Sequence, residues 1–195
     1  MKYSEIRDEL NTGDIVLFSG KGFISGLIKW FTRSPHSHVG MVIRSVEIDM
    51  ILLWESTTLS KVKDILSHTS KQGVQLVLLS ERVNTYKGKI GIRKLEGVDM
   101  TGKRIETLTD FRNEMKDCDY EQNKLELAKS AYDGPFGRNK ENLSSVFCSE
   151  LIAEMYERWE LLPEAVASNE YTPADFGNEI ELEQGSLSEI IEVGA

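Results

Sequence analysis

The sequence is short of cysteine and of positive charge. Two cysteines, Cys118 and Cys148, occur in 195 residues, too few for the disulfide framework of a small secreted domain. Twenty-three Lys and Arg against 32 Asp and Glu give a net charge of −9, whereas a surface that follows nucleic-acid phosphates needs clustered basic residues. We therefore expect two reduced thiols and no nucleic-acid partner.

Long apolar runs are also missing. Residues 1–8 contain no apolar run of the kind a secretory signal needs. No segment approaches the roughly 20 residues of a membrane span, and the most apolar stretch, residues 50–54, has the length of a strand. These absences predict a cytoplasmic protein with no integral membrane segment, although a mature chain whose export signal had been removed would look the same.

The spacing of apolar residues predicts one α+β domain over residues 1–178. Apolar runs bounded by turn residues predict strands at 15–18, 38–44, 50–55, 74–79 and 89–95. Helical spacing predicts helices at 3–10, 23–31, 101–131 and 145–160. This order indicates a small, mostly antiparallel sheet packed by helices. Residues 179–195, rich in Glu and Ser, predict an acidic and partly disordered tail.

His38 is the first candidate for a chemical role. If a strand begins there, alternation places His38, Gly40 and Val42 on one face. Gly40 then leaves room beside the imidazole for another group. A lone histidine at a strand end more often satisfies a local hydrogen bond, so His38 needs a partner before a function follows.

Glu55 is the predicted partner. It ends an apolar run, where a carboxylate adds nothing to stability unless the strand end is exposed to solvent. A hairpin that pairs Arg44 with Asp49 brings His38 opposite Glu55, with Cβ atoms ~4.5–5.5 Å apart. The carboxylate would orient the imidazole and leave its second nitrogen free for a proton. Glu55→Gln is then expected to fold normally.

Cys148 is the candidate nucleophile. Ser144 and Ser145 are good N-cap residues, which places Cys148 in the first turn of a helix. The helix dipole would stabilise a thiolate there, and free backbone amides could hold an oxyanion. The alternative is a structural cysteine, because Cys148 also begins an apolar stripe with Ile152, Met155, Tyr156 and Trp159.

The remaining candidates are weaker. Cys118 lies among acidic residues that disfavour a thiolate, which makes it a bystander. His36 and His38 could begin a zinc site with Cys148 or a carboxylate, but the usual zinc-ligand spacings are missing. Residues 20–22 are too short for a phosphate-binding loop. We therefore expect no metal and no cofactor.

Four segments in a fixed order resemble a known family. The sequence is similar to the permuted branch of the NlpC/P60 superfamily, and within it to the YiiX-like group of papain-like cysteine peptidases. In that group the histidine strand precedes the cysteine helix, the reverse of papain. The matching segments are TGDIVLF (12–18), SHVGMV (37–42), WES (54–56) and FCSEL (147–151), with further matches at 73–75 and 171–176.

The resemblance implies a circularly permuted papain-like fold and a cysteine-dependent amidase or peptidase. Cys148 would be the nucleophile, His38 the base and Glu55 the third member of the triad. The thiolate would attack the carbonyl of a small peptide, amide or ester and form an acyl-enzyme that water hydrolyses.

Two other functions remain open. Lecithin:retinol acyltransferase-like proteins use the same arrangement on lipid esters and amides, and the apolar face of residues 23–31 could then contact lipid. Their signature reads Asn-Cys-Glu-His, and the departure at Phe147 and Ser149 favours the peptidase side. The second alternative is a binding module that keeps the fold without catalysis.

Overall fold

The protein is built on an antiparallel sheet. The computed structural model describes residues 1–20, 34–58, 61–116, 140–163 and 165–195, with residues 140–147 described by their backbone. The strands within these ranges are β1 (Ile15–Ser19), β2 (His38–Ser45), β3 (Met50–Thr57), β4 (Gly73–Leu78), β5 (Lys89–Arg93), β6 (Leu95–Glu96), β7 (Ser186–Leu187) and β8 (Ile191–Val193). The main sheet has the order β4-β3-β2-β1-β5-β8, and every neighbouring pair in it is antiparallel. β6 and β7 form a separate two-stranded sheet.

Helices pack against both faces of this sheet. They are α1 (Tyr3–Ile6), α2 (Leu79–Thr85), α3 (Gly102–Met115), α4 (Lys140–Arg158) and α5 (Pro173–Gly177), with 3-10 turns at Arg7–Glu9 and Ser168–Glu170. The predicted α+β class with a small antiparallel sheet is confirmed. In the part of the chain that the structure describes, we find no helix with the length and apolar character needed to cross a membrane.

Alternation along the strands divides the core in two. In β3, Leu52 and Trp54 join the cluster that packs under α3 and α4, where Trp54 meets Phe111 edge-on at 5.5 Å between ring centroids. Leu53, on the opposite face, joins the cluster that α1 and α2 cover. Glu55, two residues after Leu53, therefore points to the face covered by α2.

The segment before β1 is held by a buried carboxylate. Asp14 accepts hydrogen bonds from the backbone N–H of Asn11 at 2.8 Å and of Leu95 at 2.9 Å. Burial raises the pKa of Asp14 to about 6, although these two donors oppose the shift. Gly13 has φ +101°, and a Cβ there would lie 2.8 Å from Leu95 Cδ2. The Gly13-Asp14 pair therefore has a structural role in this fold.

Asp14→Ala is expected to destabilise the fold by about 1–3 kcal/mol, because both N–H donors lose their acceptor. Urea unfolding at neutral pH measures the change. Asp8→Ala is the matched control, since the Asp8 side chain is exposed, and it should change stability much less. Equal effects of the two variants would contradict the structural role of Asp14.

The C-terminal segment contributes a strand to the main sheet. The predicted acidic and partly disordered tail at 179–195 contains β8, which pairs with β5 and completes the main sheet. Arg93 also donates to the backbone carbonyls of Leu187 and Ser188 and so fixes the chain between the two C-terminal strands. Composition predicted disorder because the segment is acidic, but Ile191 and Val193 of β8 pack into the apolar cluster that α1 and α2 cover.

Two predicted helices lie wholly or partly outside the described residues, and one observed helix was not predicted. The predicted helix at 23–31 lies outside them, as does the part of the predicted 101–131 helix beyond residue 116. α2 was not predicted, because a seven-residue helix gives little periodic signal.

Candidate active site

The structure brings His38 and Glu55 together. His38 Nε2 lies 2.7 Å from Glu55 Oε2. The Glu55 side chain is fully buried, and the His38 side chain is largely buried at the first residue of β2. A carboxylate at this distance fixes the orientation of the imidazole and favours its protonated form.

The strand register that produces this contact is not the predicted one. Met41 pairs with Trp54 and Ser45 with Met50, so Glu55 falls opposite Gly40 instead of His38. Asp49 has φ +48° and belongs to the turn, which moves the hairpin loop by one residue on each strand. The slip amounts to two residues and keeps Glu55 on the predicted face.

Gly40 makes the diagonal contact possible. A Cβ on Gly40 would lie 3.1 Å from Glu55 Cβ, closer than two side-chain carbons pack. Without it the Glu55 side chain can run beside β2 toward His38, which stands two residues along the strand. The sequence indicated that Gly40 leaves room beside the imidazole, and that room is occupied by Glu55.

The second oxygen of Glu55 is bound by two residues that the sequence did not indicate. Oε1 accepts from Gln75 Nε2 at 3.0 Å, from Arg82 Nε at 2.9 Å and from Arg82 Nη2. Gln75 stands directly opposite Glu55 on β4, and Arg82 comes from α2. A polar Gln75 inside an otherwise apolar strand was the available signal for the first. No sequence signal indicated Arg82, because the helix that carries it was not predicted.

Cys148 lies on α4 and contacts the same imidazole. Its side chain is fully buried in the cluster beneath that helix. Its charge and a side-chain hydrogen bond both raise the pKa of the His38 ring. Because Nε2 of His38 faces Glu55, Nδ1 is the nitrogen left for the thiol. His38 therefore connects a carboxylate from one face of the sheet with a thiol from the other.

The position of Cys148 within its helix corrects the expectation. α4 begins at Lys140, so Cys148 lies near the middle of the helix and not in its first turn. Serines do not end a helix by themselves, and residues 140–147 contain neither proline nor glycine. The amide of a residue inside an α-helix donates to the carbonyl four residues earlier. The helix dipole therefore does not stabilise a thiolate at Cys148, and the Cys148 amide is not free to hold an oxyanion, contrary to the prediction from sequence.

The charges around His38 favour its cationic form. Burial lowers the pKa of His38, but the charges of Cys148 and Glu55 and its hydrogen bonds to both outweigh burial and raise the pKa to about 10. Burial raises the pKa of Glu55, and the contacts with His38 and Arg82 more than reverse this. At neutral pH the imidazolium of His38 therefore lies between the Glu55 carboxylate and the Cys148 side chain.

Aromatic rings support the imidazole from the side. Phe18 pairs with His38 across β1 and β2, and their ring centroids are 5.2 Å apart. Tyr86, which follows α2, packs edge-on against Phe18 at 4.9 Å. These contacts restrict the rotation of the His38 ring, so the orientation set by Glu55 is also held by packing.

His36, the additional residue considered for a metal site, does not join His38 and Cys148. The His36 ring packs on α5, where a Cβ at Gly177 would lie 2.2 Å from His36 Cδ2. In the described ranges no group of three or more His, Cys, Asp and Glu side chains could hold a metal ion. Cys118, Lys21 and Gly22 lie outside those ranges.

Comparisons with known proteins add little to this geometry. No protein-family model matches the chain, and no curated protein matches it by sequence. Among solved structures it is similar to the crystal structure of the metalloprotein YiiX from Escherichia coli O157:H7, with a TM-score of 0.48 and 20% identity. The match covers 76% of this chain and 65% of YiiX. A similarity at this level supports no conclusion about chemistry, so membership of the YiiX-like group stays a prediction from the motifs.

Proposed function

We propose that the protein is a cysteine-dependent hydrolase of the permuted papain-like type, acting on a small peptide, amide or ester. The observation that carries this proposal is the double contact of His38, with the Glu55 carboxylate on one nitrogen and the Cys148 thiol as its second partner. In the chain the histidine strand precedes the cysteine helix, the order that the permuted group has. A cytoplasmic location belongs to the same prediction.

The reaction follows from the three side chains. The Cys148 thiolate attacks the carbonyl carbon of the substrate, and the His38 imidazolium donates its proton to the leaving amine or alcohol. Neutral His38 then takes a proton from water, whose oxygen attacks the thioester. Cleavage of that bond returns the thiolate and releases the acid. Glu55 keeps the imidazole oriented through both steps.

Packing alone explains why Cys148 is buried, but it does not explain why His38 lies beside it. A structural cysteine is fully covered and surrounded by apolar groups, as Cys148 is. Such a cysteine has no need of a histidine whose other nitrogen meets a buried carboxylate. An ionisable pair of this kind inside a fold is more typical of a reactive site than of a core.

The proposal is tested by alkylation of the thiols with iodoacetamide. At pH 6, Cys148 should react roughly ten times faster than Cys118, or more, because His38 holds it as thiolate. Peptide mass spectrometry separates the two sites. Since the Cys148 side chain is covered, rates are compared where they are first order in reagent, so that opening of the cover is not limiting.

His38→Ala supplies the decisive comparison. It should slow the labelling of Cys148 at pH 6 by roughly tenfold or more and leave Cys118 unchanged. His38 itself contacts the thiol, so its removal opens access to Cys148 and would by itself speed labelling. Slower labelling therefore reports the loss of the imidazolium. If the labelling of Cys148 does not respond to His38→Ala, the cysteine is structural, and the binding-module alternative takes the place of the hydrolase.

A further inference from the structure

Arg82 forms a buried ion pair with the carboxylate of the site. Its Nε and Nη2 both donate to Glu55 Oε1, and only 2% of its side chain is exposed. Leu79 and Val83 anchor α2 in the apolar cluster on this face, which fixes the direction of the guanidinium. Removing an arginine from water is expensive, and a fold that needed only packing would place an apolar residue here.

We propose that Arg82 is a positioning residue of the proposed hydrolase site, holding Glu55 ionised with Oε2 turned toward His38. The inference rests on the proposed function, because it assigns Arg82 to the same triad. Gln75 completes the arrangement by donating to the same oxygen as Arg82. With Oε1 occupied by three N–H donors, Oε2 is the oxygen presented to the imidazole.

The number of charges explains why a second cation is needed. Glu55 and the Cys148 thiolate are two anions, and His38 is in contact with both. Without Arg82, one imidazolium would have to compensate two buried negative charges. Glu55 would then take up a proton more readily, because burial favours its neutral form. With Arg82 paired to Glu55, the charge of His38 is available to the thiolate.

The groups around Glu55 include His38, whose pKa is raised to about 10, above the pH range of the test. His38 faces it from β2, Gln75 from β4 and Arg82 from α2. Cys148 reaches it only through His38. Tyr86 follows α2, and burial together with the charge of Glu55 raises the pKa of its phenol to about 12. Between pH 5 and 8 a new titration in an Arg82 variant would therefore come from Glu55.

The test is the pH profile of Cys148 alkylation in Arg82→Gln. As pH falls, Glu55 should become protonated in this variant while it stays ionised in the unsubstituted protein. The imidazolium then loses its acceptor, the thiolate becomes less populated, and labelling slows. We expect a loss of roughly tenfold at pH 5 and less than about threefold at pH 8, since one pKa unit corresponds to a factor of ten. A rate reduced by the same factor at every pH would overturn the inference.

Two further variants separate the positioning role from stability. Arg93→Gln removes another buried arginine, one that binds backbone carbonyls of the C-terminal segment, and should leave the pH profile parallel to that of the unsubstituted protein. If Arg82 acts through Glu55, adding Arg82→Gln to Glu55→Gln should cause no further loss of labelling at pH 5 beyond that of Glu55→Gln alone. A further loss of labelling in the double variant would overturn the inference.

Arg82→Lys keeps the test valid if Arg82→Gln does not fold. A lysine reaches Oε1 through one nitrogen instead of two, so a smaller loss of Cys148 labelling at low pH is expected. A pH profile identical to that of the unsubstituted protein would contradict the role of the paired contact. Failure of the proposed function shows elsewhere, as a lack of response to His38→Ala. If His38→Ala slows labelling while the Arg82 variants leave the profile unchanged, the hydrolase stands and the Arg82 inference fails.

Discussion

Glu55→Gln is expected to destabilise the folded protein by about 3–5 kcal/mol, the range for breaking a buried ion pair from one side. Glutamine has nearly the shape of glutamate, so packing is preserved. The Arg82 guanidinium, however, stays buried and loses its carboxylate. The amide nitrogen of the new side chain would also face donors from Gln75 or His38. Urea unfolding at pH 7 measures the loss.

A double variant identifies the cause of this loss. Glu55→Gln with Arg82→Gln removes both charges and should recover a large part of the stability lost in Glu55→Gln alone. Glu192→Gln is the control, because Glu192 pairs with Lys89 on the surface with about 70% of both side chains exposed, and its effect should stay below about 1 kcal/mol. If the double variant is no more stable than Glu55→Gln, the unpaired arginine is not the cause.

This result would replace the expectation from sequence that Glu55→Gln folds normally. That expectation treated Glu55 as a group with one partner, His38. The partner that decides the stability of the variant lies 27 residues further along the chain, on α2. A short helix gives little periodic signal, and no local pattern connects Arg82 with β3. The strand positions near Glu55 could be predicted from the sequence, but the tertiary contact between Arg82 and Glu55 could not.

The contact between His38 and Glu55 was predictable despite a wrong register. Alternation with a period of two determines which face a strand residue occupies, and the observed slip of two residues preserves that face. A slip of one would have separated the two side chains. The helix start was less predictable, since Ser144 and Ser145 can cap a helix or continue one, and the residues before them decide which.

His38 is expected to remain protonated until near pH 10, because the charges of Cys148 and Glu55 outweigh the effect of burial on its pKa. The folded pKa lies above the value of about 6.5 for an unperturbed histidine. The resulting stabilisation is therefore fully present below about pH 6.5 and is lost as pH rises through 10. NMR titration of the ring signals follows this directly, since the chain contains three histidines.

Cys148→Ser tests whether the thiol causes this shift. Serine has almost the same volume and carries no charge in this pH range, so burial would be opposed by Glu55 alone. We expect the His38 pKa to fall by about one pH unit or more, a factor of ten in the ionisation equilibrium. The ring signals of His68, an exposed residue, serve as the internal control in both proteins. An unchanged His38 pKa would mean that the Cys148 thiol does not stabilise the imidazolium. The proposed attack by a thiolate that His38 stabilises would then be excluded.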